Sequence, residues 1–208
     1  MSDSYQTIAQ NMRVKTKIKK CKFITSIKNV KTVNQAEEFI NQVSKEFADA
    51  THNVFAFKIG LGDEAVTRSS DDGEPSGSSG PPALQALEGA EITNVAVVIT
   101  RYFGGIKHGV GGLIRAYGGC VRQAIKEAKI IEKIRYIKLN ISVPYNLMGQ
   151  VINDLEGHAG QVMDTNYTNQ GAEIVALLKP SAISKFKNRI AEATKGQAKF
   201  EQVGDLFK

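Results

Sequence analysis

The chain has 208 residues, 42% of them hydrophobic and 23% charged, which is ordinary globular usage and too short for more than two average domains. No window approaches the ~20 uninterrupted apolar residues of a membrane span, and the N-terminus has no apolar stretch behind a basic start, so a soluble, cytoplasmic protein without a membrane partner is expected. Cys21 and Cys120 supply neither a disulfide framework nor a C-x-x-C pair, which leaves reduced thiols and no structural zinc as the expectation.

The net charge of +6 is unevenly placed. Residues 1–31 carry eight lysines and arginines against the single acid Asp3, and the rest of the chain is close to neutral. In VKTKIKKCKFITSI, Val14, Thr16 and Ile18 alternate with lysines, a strand pattern. Two readings stay open for this segment. Lysines blunt exposed strand edges, which is the commoner role, and Lys17, Lys19 and Lys20 also suit contact with the phosphates of a nucleic acid.

In chain order, a strand over 22–27 precedes a helix over 34–48, whose start is read from Asn34 and Glu37 as a capping box and whose apolar stripe is Ala36, Phe39, Ile40, Val43 and Phe47. THNVFAFKIG reads as an internal strand. Residues 69–82, SSDDGEPSGSSGPP, exclude helix and regular strand and form a loop, after which Pro81 and Pro82 suit a first helical turn. TNVAVVITRYF is continuously β-branched and aromatic, as expected of a strand in the middle of a sheet, buried on both faces. The glycine turn GGIKHGVGG leads into a helix through Leu113, Ala116, Tyr117, Cys120, Val121 and Ile125. From about residue 133 the predicted order is βαββαβ, the split arrangement of a ferredoxin-like sandwich. The domains are therefore read as 1–132 and 133–208.

Candidate chemistry gathers in the two loops. Gly104, Gly105, Gly109, Gly111 and Gly112 permit close backbone approach, and N–H groups at the start of the following helix favour an anion. The spacing fits no ATP or dinucleotide fingerprint, since Val110 and Gly111 stand where a Walker motif needs Lys and Ser or Thr. Asp71, Asp72 and Glu74 have the oxygen chemistry of a magnesium site or of acid and base catalysts, and equally of hydrated loop acids. His52 reads as a base, a ligand or a hydrogen-bonded structural residue beside Asp49, and His108 as the more exposed histidine. Arg101, Lys107 and Arg115 suit ion pairing with Asp71 or Asp72, or capture of a phosphate. No cofactor and no metal ligand set is assigned.

These blocks carry a resemblance. DATHNVFAF, SSDDGEPSGSSGPP and TNVAVVITRYFGGIKHGVGGLIRAYGG, in order over residues 49–119, resemble the signature blocks of the IMPACT/YigZ family, and the later βαββαβ segment is similar to the second domain of its bacterial members. The chain departs from the family pattern at His108, where a small or apolar residue is usual, and at Ser78 and Ser79. The resemblance implies an α+β protein. Its N-terminal domain would be of the left-handed βαβ superfold seen in a ribosomal protein, and its C-terminal ferredoxin-like domain would resemble domain V of elongation factor G. It also implies a translation-related regulator that binds RNA, the ribosome or a protein partner in translation, since eukaryotic relatives regulate an initiation-factor kinase through its activator. The alternative is an enzyme acting on a phosphorylated small molecule or nucleic acid in a cleft between the two loops, with Arg101 as phosphate clamp.

Overall fold

In the computed structural model, which describes residues 3–208, the chain forms β1 (Ser4–Ile8), β2 (Met12–Ile18), β3 (Cys21–Asn29), α1 (Val33–Glu46), β4 (His52–Ile59), β5 (Val66–Ser70), α2 (Gly80–Gly89), β6 (Val95–Tyr102) and α3 (Val110–Ala128). These are followed by β7 (Ile130–Val143), α4 (Tyr145–Gly157), β8 (Gln161–Thr168), β9 (Gly171–Leu178), α5 (Pro180–Ala193) and β10 (Lys199–Phe207). The architecture is mixed α+β in two units, 6–132 and 133–208, with Asp3, Ser4 and Tyr5 grouped with the latter.

The first unit is built on a sheet of order β2-β3-β6-β4-β5 with β6 at its centre. All its neighbouring strands run antiparallel, so β3 and β4, joined through α1, run the same way on either side of β6. The apolar run of β6 divides by alternation. Val95, Val97 and Ile99 pack with α2 and α3 on one face, while Ala96 and Val98 pack with Phe39, Ile40 and Val43 of α1 on the other. Burial of every residue from Val95 to Arg101 follows from being covered on both sides.

Three local expectations are corrected. The cap of α1 is Thr32, not Asn34: its side chain accepts from Gln35 N–H while Gln35 Oε1 accepts from Lys31 N–H, so the reciprocal capping pattern lies two residues earlier. The glycine turn ends sooner than predicted, because Gly111 and Gly112 fall in the first turn of α3. Two strands also escaped the sequence pattern, β1 and the mostly exposed edge strand β5, whose last residues open the acidic loop. Such an edge has little apolar alternation to read.

The other sheet has five strands, β1-β7-β9-β8 with β10 also paired to β7; within it β10-β7-β9-β8 pair antiparallel in the ferredoxin-like arrangement, and α4 and α5 bury Val151, Leu155, Phe186 and Ile190 against Leu139, Ile141 and Ile174. Asp3 belongs here because its carboxylate accepts from the N–H and hydroxyl of Ser181 in the first turn of α5, and its carbonyl accepts from Arg135 N–H. The bond from the Ser181 hydroxyl lowers the pKa of Asp3.

One glycine holds the glycine loop to the β2–β3 hairpin. A Cβ on Gly104 would lie 1.9 Å from the carbonyl oxygen of Lys20, whereas Gly149, exposed within α4, has nothing within 4 Å. Gly104→Ala should therefore cost about 2–3 kcal/mol in urea unfolding as the backbones are forced apart, and Gly149→Ala should gain up to about 1 kcal/mol from helix propensity. Equal effects would contradict the close approach.

Candidate functional site

The register of the first sheet decides which side chains meet. Pairing of Lys22 with Tyr102 and of His52 with Arg101 places Cys21, Arg101 and His52 at one end of three adjacent strands, below the acidic loop and the start of α3. There the structure forms a cleft of about 460 Å³, lined by His52, Glu74, Pro75, Arg101, Phe103, Lys107, His108, Gly109, Val110 and Leu113 together with Thr51. The two loops thus share one cleft, with Glu74 and Pro75 from the first and Lys107–Val110 from the second.

At its floor is a buried ion pair. Arg101 and Glu74 have side chains 5% and 3% exposed, and Arg101 Nη1 donates to Glu74 Oε1. The same oxygen accepts from the hydroxyl of Tyr117, a fully buried α3 residue, at 2.6 Å. Burial, and then the bond to Glu74, push the Tyr117 phenol well above the usual range, so it remains a donor. Arg101 Nη2 donates to Cys21 Sγ at 3.4 Å and lies 3.4 Å from His108 Nδ1, and the guanidinium stacks 5.8 Å from the ring centre of Phe23 and 5.5 Å from that of Phe103. Burial alone would lower the pKa of Arg101, but the bonds to Cys21 and Glu74 and their charges outweigh it and the net shift is upward. Its Nε has no hydrogen-bond partner among the described residues.

The histidines take different states. His52 Nδ1 lies 2.7 Å from the carbonyl oxygen of Asp72 and so carries the proton of that bond, leaving Nε2 3.8 Å from Glu74 Oε2. Its partner is therefore Asp72, while Asp49 accepts from the hydroxyl of Tyr102. Burial, then the positive charges of Arg101 and Lys19, lower the pKa of His108, which makes it a neutral ring that accepts from Arg101.

The acids and arginines are not arranged as the sequence suggested. Arg101 pairs with Glu74, not with Asp71 or Asp72, because Glu74 is the acid that turns inward. The Asp71 carboxylate instead takes four donors, the N–H groups of Gly77, Ser79 and Gly80 and the hydroxyl of Ser79, and serves as a remote cap for α2. Asp72 accepts from Asn53 N–H and sits in the left-handed region with φ of 43°. Neither Asp71 nor Asp72 lines the cleft, nor do Gly104, Gly105, Gly111, Gly112 and Arg115. Arg115 is exposed on α3 and folds back beside Gly111. Lys17 is exposed on β2 and Lys19 and Lys20 form the hairpin turn, where Gly104 rests on the Lys20 carbonyl.

Three contributors escaped sequence reasoning. Cys21 is fully buried and accepts from Gly104 N–H at 3.3 Å, Tyr117 reads as core from its helical spacing, and Phe103, 46% exposed, reads as a strand end. Only the strand register would have revealed the first of them. Cys120 plays no part here: burial raises its pKa to about 11.

Comparison with known proteins covers nearly the whole chain. Residues 19–125 match the family described as "Impact N-terminal domain" and residues 141–197 match "Domain of unknown function (DUF1949)". The chain is similar to IMPACT family member YvyE of Bacillus subtilis, 32% identical over 99% of this chain and 94% of that protein, and to IMPACT family member YigZ of Escherichia coli, 31% identical over 93% and 95%. A solved structure described as "Crystal structure of an hypothetical protein" superposes with a TM-score of 0.65 at 28% identity, covering 98% of this chain and 99% of its own.

The saturated acids have measurable consequences. For Asp71, burial raises the pKa but the bonds from Ser79, Gly80 and Gly77 outweigh it and hold it below the ordinary 3.8. Because the folded value lies below the unfolded one, its stabilisation is complete above 3.8 and is lost as pH falls through the lowered value. Asp71→Asn should cost about 1–2 kcal/mol at pH 7 and less near pH 3, as read by denaturant unfolding at both pH values; a cost that does not shrink in acid would contradict the ionised cap. The Arg101–Glu74 pair should behave as a unit. Arg101→Met alone leaves a buried carboxylate uncompensated and should cost about 3–5 kcal/mol, while adding Glu74→Gln should recover part of the loss. Additive losses in the double variant would contradict the pairing.

Proposed function

Because the chain belongs to the IMPACT family, we propose that it is a non-enzymatic regulator of translation that binds RNA or the ribosome, with the β2–β3 hairpin as the surface that meets phosphate. The observation that carries this reading is the contrast between cations with an acidic partner and cations without one. Arg13, Arg68 and Arg101 are each paired with a glutamate. Lys15, Lys17, Lys19, Lys20 and Lys22 are exposed, and among the described residues none of them forms an ion pair.

Edge protection accounts for only part of this. β2 is an edge strand, so Lys15 and Lys17 fit that role. Lys22 lies on β3, which has neighbours on both sides, and it sits directly opposite Lys17 across the hairpin. Like charges directly opposed destabilise a sheet; the Lys22 ammonium leans toward β6, 5.2 Å from the ring centre of Tyr102, and an anion that bridges the two lysines relieves the remaining repulsion. The enzymatic alternative has weaker support. The Asp71 carboxylate is saturated by four donors, and both terminal nitrogens of Arg101 are engaged, so Asp71 is not free for a metal or a proton and the Arg101 fork cannot clamp a phosphate through its two ends.

Binding of single-stranded RNA should weaken steeply with salt. In the folded variant with Lys17→Ala, Lys19→Ala and Lys20→Ala, the logarithmic salt slope should fall by roughly 0.7 for each lost phosphate contact. An unchanged affinity and slope, measured by fluorescence anisotropy across salt concentrations, would return the lysines to edge protection alone.

A further inference from the structure

We infer that the cleft beside the lysine hairpin is a nucleotide subsite, taking one phosphate on the start of α3 and Lys107 and one base on Phe103. This rests on the reading of a nucleic-acid partner and adds a second, chemically distinct contact to it. The argument begins from what the cleft offers. One wall is apolar, with Phe103 46% exposed and Val110 55% exposed beside Leu113 and Pro75, which is costly surface to leave in water unless something flat covers it. An aromatic ring of this kind accepts any base by stacking, and Arg101 already lies against Phe103 as a cation does in such platforms.

The opposite end of the cleft is electropositive. The cap of α3, Gly109, has φ of 69° and makes no side-chain capping bond, so no side chain of the cap occupies the first N–H groups of the helix. A helix start of this kind attracts a phosphate, and Lys107 stands on the same rim. A second and independent observation also points to an acceptor. Arg101 is 4% exposed, lines the cleft, and keeps a buried Nε–H without a partner among the described residues. A buried donor left unpaired is disfavoured, and because this nitrogen is occluded, a phosphate or base oxygen entering the cleft satisfies it only by drawing the guanidinium outward. The single acid in the cleft, Glu74, does not oppose this, because its charge is already met by Arg101 and Tyr117.

The volume of about 460 Å³ lies within the usual range of small-ligand sites, so one nucleotide is the unit it takes. Such a unit comes from a free nucleotide or from the phosphorylated end of an RNA chain. The hairpin adjoins the cleft through the packing of Gly104 on Lys20, so a strand bound by the lysines lies next to it.

Titration calorimetry of the full chain with AMP, adenosine and inorganic phosphate tests the inference. AMP should bind about tenfold or more tightly than adenosine, through the phosphate. Phe103→Ala should weaken AMP by about tenfold or more while leaving inorganic phosphate unchanged, and Lys107→Ala should weaken AMP and phosphate alike. Lack of AMP binding at millimolar concentration, or an AMP affinity indifferent to Phe103→Ala in a folded variant, would overturn it. If Phe103→Ala also weakens a 5′-phosphorylated oligoribonucleotide, but not its unphosphorylated form, the occupant is an RNA end; if it weakens AMP alone, the occupant is a free nucleotide. The hairpin variant separates this inference from the proposed function. AMP binding that survives loss of Lys17, Lys19 and Lys20 with no RNA binding by the intact protein would sink the RNA reading and keep the subsite, and the converse pattern would do the reverse.

Discussion

A carboxylate that leaves a surface loop and enters the protein interior must find its charge and hydrogen bonds there, and in this protein Glu74 does so on Arg101 and Tyr117. That contact organises the first unit around it. It draws the acidic loop down onto the end of the sheet and fixes the guanidinium between Phe23 and Phe103. It also joins strand β6 to helix α3 through one oxygen atom. Paired buried charges of this kind add little net stability over an apolar contact, but breaking the pair leaves an uncompensated buried charge, so the contact holds the loop where it is. The cleft exists because the loop is held in this way.

The same economy separates the charged groups that build the protein from those that remain available. Asp71 closes the amide groups at the start of α2, Asp72 holds β4 and His52, and Glu37 and Glu46 hold Arg68 and Arg13. What is left over on this side of the unit is cationic: the lysines of the hairpin and Lys107. With Asp71, Asp72 and Glu74 engaged within the protein, the exposed lysines beside them present a positive field to their surroundings, and this local field supports a phosphate-bearing partner more strongly than the overall charge of +6 does.

Much of the fold was legible because its signals are local. The unbroken apolar run of β6 demands cover on both faces, Pro81 and Pro82 announce the first turn of α2, and the period of α4 and α5 separates them from the strands around them. What could not be read depends on register or on weak pattern. The acidic stretch offered three carboxylates of similar appearance, and only folding distinguishes Glu74, which turns inward, from Asp71 and Asp72, which bind backbone N–H groups. Cys21 entered the polar cluster because β3 pairs with β6 at Lys22 and Tyr102, a fact no spacing along the chain encodes. β5 is an exposed edge with no buried face to impose alternation, and the true cap of α1 lay hidden because Thr32 and Asn34 are both acceptable capping residues.

The central claim is that the side of the first unit where cations remain unpaired, the hairpin with the adjoining glycine loop, is its interaction surface. Amide chemical-shift mapping of isotope-labelled protein with a short single-stranded RNA tests this most directly, because it reports every backbone position at once. The account predicts that the largest perturbations fall together on Lys17–Lys22 and on residues 103–112, with the strands of the second unit unaffected. Perturbations confined to β7–β10, or none at saturating RNA, would contradict it.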